Sequence, residues 1–179
     1  FGRAVRMVRV NQDPAGLDDL ARVIPHGVHL VLIPKAEEPA QVRDVAERIA
    51  ALRPAHDVWL MPILESALGC WRAYDIAAAH PSVVALAIGL EDYTADIGTQ
   101  RTLEGRESQW ARAQALNGAR AAGVQPIDTV FSDVNDMDGL RASVLEAKAL
   151  GFVGKGCIHP RQIAPIHDAF APTAEEIDR

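Results

Sequence analysis

VVALAIGLED, residues 83–92, is an unbroken apolar run closed by two acids. Val, Ala, Leu and Ile without a polar interruption suit a strand buried on both faces, as in a parallel sheet. The pattern recurs along the chain. Arg9 falls in MVRVN (7–11), Lys35 closes LVLIPK (30–35), and Glu65 closes VWLMPILE (58–65). Asp128 lies in VQPIDTV (124–130), and Lys155 and His159 lie in GFVGKGCIHP (151–160). Taking Asp92 for the run at 83–92, the steps are 26, 30, 27, 36 and 27 residues (35−9, 65−35, 92−65, 128−92, 155−128). Each step accommodates one strand, one helix and two loops. A parallel β/α barrel gathers the C-terminal ends of its strands at one mouth. An open doubly wound sheet concentrates its ligand residues at one switch point instead. A polar residue after every apolar run therefore favours an α/β fold of the TIM (β/α)8 barrel type. The chain supplies about six βα units. A complete barrel typically needs about 250 residues, so the first two units are expected to be missing, before Phe1. Residues 1–179 are read as a single, partial barrel domain.

The segments between the runs read as helices. GLDDLARVI places Leu17, Leu20, Ala21 and Ile24 on one face. Glu37, Glu38 and Pro39 open a helix through about Leu52, with its acids at the positive end of the dipole. GCWRAYDIAAAH forms the next, stopped by Pro81. A long polar connection is expected from Tyr93 to about Glu104, then a helix that carries Trp110, Ala113, Leu116 and Ala121 and ends at Gly123. Asp138 begins another that Gly151 ends, Pro160 starts a short final helix, and APTAEEIDR resembles the start of one more.

Composition narrows the function classes. The chain has 179 residues, 49% of them hydrophobic, and a net charge of −6, which argues against nucleic acid or an anionic membrane as partner. No apolar run approaches the roughly 18 residues of a membrane span. Cys70 and Cys157 are far apart and have no metal-ligand spacing, so both are expected to be reduced, mostly buried thiols of a cytoplasmic protein. FGRAVRMVRV lacks a signal peptide and a Met, and is expected to be a processed or truncated start.

The chemistry is expected at the ends of the runs. Glu65 and Asp92 would repel each other when brought together, and one proton or one cation resolves that. Two carboxylates with waters and substrate filling the remaining positions form the usual Mg²⁺ arrangement. Glu91 is the alternative second ligand, and helix capping is the alternative role for either acid. Arg9 suits bidentate capture of a carboxylate ligand, or else an ion pair with a strand-end acid. Lys35 could neutralise an enolate or pair with a buried acid. The segment Arg101 to Glu107 follows the fourth run, where loops cover substrate. Asp133, Asn135, Asp136 and Asp138 lack the twelfth-position Glu of a calcium loop and are read as turn and cap residues. KGCIHP could hold an anion on backbone N–H groups. His159 is read as structural, and the remaining histidines as surface or packing residues.

RVN (9–11), LIPKAEE (32–38), PILESALG (62–69), IGLEDYTADIG (88–98) and RTLEGRE (101–107) together resemble the citrate lyase β-subunit family. ARAAGVQPIDTVFSDVNDMDGL (119–140) and LGFVGKGCIHPRQI (150–163) extend the resemblance over nearly the whole chain. That family includes malyl-CoA and citramalyl-CoA lyases. The resemblance implies a TIM barrel, Mg²⁺ as cofactor and a homo-oligomer, usually a trimer. It puts the metal carboxylates on Glu65 and Asp92 and the catalytic, substrate-binding arginine on Arg9. Lys35 and Glu65 are also expected to meet substrate. Ser66 stands where relatives more often carry Thr, which keeps the hydroxyl. The implied reaction is cleavage or formation of a 3-hydroxyacyl thioester from an oxo acid and an acyl thioester, carried on CoA or an acyl-carrier protein. The alternatives are a class II aldolase acting on free 2-oxo acids and a non-catalytic binding subunit that retains the barrel.

Overall fold

The computed structural model describes residues 4–12 and 14–177. Asp13, which with Pro14 reads in the sequence as a turn, lies outside them. The strands are β1 (Met7–Arg9), β2 (Leu30–Ile33), β3 (Trp59–Leu64), β4 (Ala85–Ile88), β5 (Gln125–Asp128) and β6 (Gly154–Lys155). They form one parallel sheet in the order β1-β2-β3-β4-β5-β6. Each strand sits beside its successor in the sequence. A doubly wound sheet must reverse its strand order somewhere, and no reversal occurs here. The architecture is a curled, six-stranded parallel half-barrel with helical crossovers.

Successive side chains of a strand point to opposite faces, and the two faces carry separate cores. Leu30, Met61, Ala85 and Ala87 cluster on one face, with Leu32, Ile63 and Ile127 against them. This is the concave face. The alternate residues Val31, Ile33, Leu60, Leu64, Leu86 and Ile88 join the larger core under the helices. The register keeps the faces continuous: Ile63 pairs with Ala87, Ala87 with Ile127, and Ile127 with Gly154.

The helices are α1 (Ala15–Val23), α2 (Pro39–Ala51), α3 (Ala67–Trp71), α4 (Ala73–Ala77), α5 (Leu90–Asp96), α6 (Gln109–Ala121), α7 (Met137–Leu150), α8 (Ile163–Phe170) and α9 (Ala174–Ile177). α2 starts with a capping box, in which Gln41 Oε1 accepts the N–H groups of Glu37 at 2.8 Å and Glu38 at 2.9 Å. No described helix is long and apolar enough to cross a membrane.

Several sequence expectations change here. β1 is only partly buried: Met7 is 52% exposed, because it lies on the concave register opposite Leu30 in a strand with one described neighbour, whereas Val8 packs on the helix-side core. Ala21 is exposed, while Leu20 and Ile24 are buried as expected and Gly16 is buried with them. The segment read as one helix before Pro81 is two, broken at Arg72 and ending at Ala77. The stretch from Tyr93, read as a polar connection, continues α5 to Asp96. α6 does not bury Trp110, Ala113 and Ala121. It buries Ala111, Arg112, Ala115, Gly118 and Ala119. Small residues win because α6 lies close on α4: a Cβ at Gly118 would fall 2.6 Å from the Cβ of Ala73. Trp110 instead stacks on Trp71 at the surface, ring centroids 6.1 Å apart. α7 is capped by Asp136, which accepts the Gly139 N–H at 2.8 Å, and not by Asp138. Cys70 is buried as expected, but Cys157 is exposed.

Candidate functional site

Alternation carries Glu65 inward. Ile63 belongs to the concave face, and Glu65 follows two residues later at the C-terminal end of β3. Its Oε2 accepts the backbone N–H of Lys35 at 2.8 Å. Gly89, at the end of β4, leaves the space the side chain needs: a Cβ there would fall 2.8 Å from Glu65 Cγ and 2.9 Å from Oε1. Burial pushes the Glu65 carboxyl above its ordinary value and the Lys35 N–H opposes this; the nearby charge of Asp92 pushes it higher, while Arg9 and Lys35 pull it back. Those influences identify the neighbourhood. Arg9, Lys35, Glu65 and Asp92, drawn from four different βα units, meet at one mouth.

Asp92 lies in the first turn of α5, where the helix dipole favours an acid. Its Oδ2 is 3.6 Å from Lys35 Nζ. Neither acid serves as a helix cap. Ser66 Oγ caps α3 by accepting the Gly69 N–H at 3.1 Å, and Gly89 precedes α5. Glu91 is engaged elsewhere. It accepts a hydrogen bond from Ser132 Oγ at 2.7 Å and pairs with Arg101; the Ser132 bond first, and Arg101 with it, hold its carboxyl below the ordinary value. Arg9 lies on the inward register, opposite Leu32, and makes no ion pair among the described residues.

Not every polar residue of the sequence rhythm reaches this mouth. Asp128 and Lys155 are paired one step beyond Ile127 and Gly154, so they face the helices. Asp128 is buried and receives Arg112 Nε at 3.0 Å, Arg112 Nη2 at 3.1 Å and Lys155 Nζ at 2.8 Å. Arg112 also reaches Glu146 of α7 at 3.1 Å. Burial lowers the Lys155 ammonium, and Asp128 only partly restores it. For Arg112 burial acts the same way, but Asp128 and then Glu146 outweigh it and raise its value. This is a structural ion cluster binding β5 and β6 to α6 and α7. Arg112 escaped the sequence reading. Its signal was an Arg between Ala111 and Ala115 on a helix whose next strand ends in an acid.

The segment Arg101 to Glu107 is latched to the body. Arg101 Nη2 donates to the Val130 carbonyl at 2.8 Å, and Thr102 Oγ1 donates to Glu107 at 2.7 Å. A cavity of about 690 Å³ lies between this segment, α6 and α7. Its walls include Arg101, Arg112, Glu146 and Lys155, but none of Arg9, Lys35, Glu65 or Asp92. Asp133 accepts the Asn135 N–H at 2.9 Å, a turn role like the one expected. His159 Nδ1 accepts the Arg161 N–H at 3.2 Å, and His29 packs on His56 with centroids 5.3 Å apart.

The mouth suits a hard divalent cation. A buried carboxylate beside a second acid creates negative potential, and Gly89 keeps Glu65 Oε1 clear of side chain. No group of three or more ligand-type side chains occurs among the described residues. A cation on Glu65 and Asp92 would complete its shell with water or substrate oxygens, as Mg²⁺ commonly does.

The chain is similar to known proteins over nearly its whole length. The chain is 38% identical over 179 residues to the citrate lyase subunit beta of Escherichia coli K12, covering 96% of this chain and 59% of that protein. The chain spans about three fifths of the length of the curated relatives it matches, 59% to 62% for four citrate lyase beta subunits. A citrate lyase beta subunit from M. tuberculosis complexed with oxaloacetate and magnesium superposes with a TM-score of 0.81 at 31% identity, covering 93% of this chain and 73% of that one. The protein CitE from Mycobacterium tuberculosis in complex with magnesium, acetoacetate and coenzyme A also gives 0.81 at 31%, covering 94% and 62%. The family model described as HpcH/HpaI aldolase/citrate lyase matches residues 2–160, and this chain belongs to that family.

Proposed function

We propose that this chain carries the active-site mouth of a Mg²⁺-dependent carbon–carbon lyase of the citrate lyase β type. It cleaves, or forms, a 3-hydroxyacyl thioester, giving an oxo acid and an acyl thioester on CoA or an acyl-carrier protein. The observation that carries this reading is the convergence of buried Glu65 with Asp92, Arg9 and Lys35 at the strand ends. The oxaloacetate, magnesium and coenzyme A named for the M. tuberculosis structures support it. The same reading makes residues 1–179 one domain of a barrel that two further βα units close, in a cytoplasmic homotrimer.

In this proposal Glu65 and Asp92 hold the metal and Arg9 is the catalytic arginine. When bound, Mg²⁺ supplies Lewis acidity and a template for the oxo-acid oxygens. Glu65 is fixed in direction by the Lys35 N–H, so its free oxygen is already aimed at the mouth. Arg9 has no competing described carboxylate, and its planar guanidinium pairs with the carboxylate of the oxo-acid half. In the cleavage direction a base takes the hydroxyl proton, the C2–C3 bond breaks, the hydroxyl oxygen becomes the keto oxygen, and the bond pair passes to the thioester as an enolate that takes up one proton at C2 to give the acyl thioester. Lys35 lies at the same mouth and offers positive charge to that half.

Magnesium binding and turnover test the proposal together. Glu65→Ala and Asp92→Ala should each abolish Mg²⁺ binding and cleavage of malyl-, citramalyl- or citryl-thioesters. Unchanged affinity and turnover would reject the assignment. Turnover of free 2-oxo-acid aldols alone would select the aldolase reading, and thioester binding without product the non-catalytic one.

A further inference from the structure

Lys35 has two unusual properties at once. It is one of two described residues other than glycine with a positive φ, at 47°. Side chains rarely adopt that conformation, and where they do the surrounding structure enforces it for a reason. Here the enforcement is visible. Pro34 and Ala36 on either side are buried, the Lys35 N–H is held by Glu65 Oε2 at 2.8 Å, and the Ala36 N–H is held by the Ile63 carbonyl at 3.0 Å. This backbone turn sends the Lys35 side chain to Asp92, with Nζ 3.6 Å from Oδ2. One residue thus touches both acids, Glu65 through its main chain and Asp92 through its ammonium.

We propose that Lys35 is the resident counter-ion of this site, its ammonium occupying the Asp92 side until a divalent cation displaces it. The inference rests on the reading of Glu65 and Asp92 as metal ligands and adds a competition to it. Before metal enters, the ammonium keeps Asp92 facing Glu65 and limits repulsion between the acids. When metal enters, it must take Asp92 from Lys35. The amide bond to Glu65 is unaffected, and the freed ammonium is left at the mouth for the substrate. The pair is half exposed, 45% for Lys35 and 52% for Asp92, so the competition is soft. Lys35 is a positioning residue in the metal-free state.

Isothermal titration of the full chain with MgCl₂, at low and high NaCl, tests this. Lys35→Met removes the ammonium, and Lys35→Gly also relieves the backbone; a thermal melt confirms that each folds. Both should bind Mg²⁺ about two- to fivefold more tightly than the unmodified protein at low salt, the scale of an exposed ion pair. Lys35→Arg should restore the weaker affinity. Equal or weaker Mg²⁺ binding by both Lys35→Met and Lys35→Gly would overturn the inference. Glu65→Gln and Asp92→Asn separate the two levels. If these lose Mg²⁺ while the Lys35 variants do not gain it, only the counter-ion fails; if they keep full affinity, the metal-site reading itself fails.

Discussion

Removing the carboxylate of Asp128 should destabilise the fold more than any other single change in the β5–β6 region. Its side chain is inaccessible and accepts three charge-assisted bonds, two from Arg112 and one from Lys155 at 2.8 Å. Asp128→Ala leaves buried Lys155 without an anion and Arg112 with only the more exposed Glu146. Lys155 has a side-chain exposure of 1%, so water cannot take over. Breaking a buried pair from one side costs about 3–5 kcal/mol. For a domain of this size that corresponds to a fall in melting temperature of about 10 °C. Lys155→Met is the instructive comparison. It removes one cation, and Asp128 keeps its two-point contact with Arg112, so the loss should be roughly 1.5–3 kcal/mol, the scale of one hydrogen bond to a charged group. Urea unfolding at constant slope measures both. If Asp128→Ala cost under about 1 kcal/mol, or less than Lys155→Met, the claim that one acid holds two buried cations would be refuted.

Three further outcomes follow from the described geometry. Gly89→Ala should displace the Glu65 carboxyl, whose Cγ lies 2.8 Å from the added Cβ position, and weaken Mg²⁺ binding by about tenfold or more, with an overpacking cost of about 1–3 kcal/mol. Gly98→Ala, at φ +75° with nothing near the added methyl, should lose stability only and keep its Mg²⁺ affinity, as titration would show. A thiol reagent at pH 8 should modify exposed Cys157 promptly and leave Cys70, whose pKa burial and then Asp96 push up to about 12, until denaturant is added. Two thiols reacting at one rate in the native protein would contradict this.

The spacing of polar residues was enough to anticipate parallel units in sequential order, because each buried run must end where the chain meets water. It could not say which way each polar residue faces. Glu65 and Asp128 look alike in sequence, yet Glu65 shares the parity of Ile63 while Asp128 is one step past Ile127. A one-residue difference at a strand end decides between mouth and helix layer. α6 misled for a related reason. The sequence pattern does not show that close approach to α4 selects Ala and Gly for its packing face and leaves Trp110 at the surface, while Leu116 still packs on the core. α5 was obscured because the first turn after Gly89 carries two acids, which read as loop and in fact suit the helix start. The contact between Lys35 and Asp92 depends on a positive φ, and no residue type other than Gly announces that.

The β1 to β6 order has a bearing on how the molecule is made. Within the described sheet each strand from β2 to β6 finds its partner in the one translated just before it, so none of these pairings has to wait for a distant segment to emerge from the ribosome. Assembly can then advance one unit at a time during synthesis, with each new helix closing over the unit behind it. The acids of the mouth would come together late, after β4 has docked, and the proposed metal site would form only when most of the described sheet already exists.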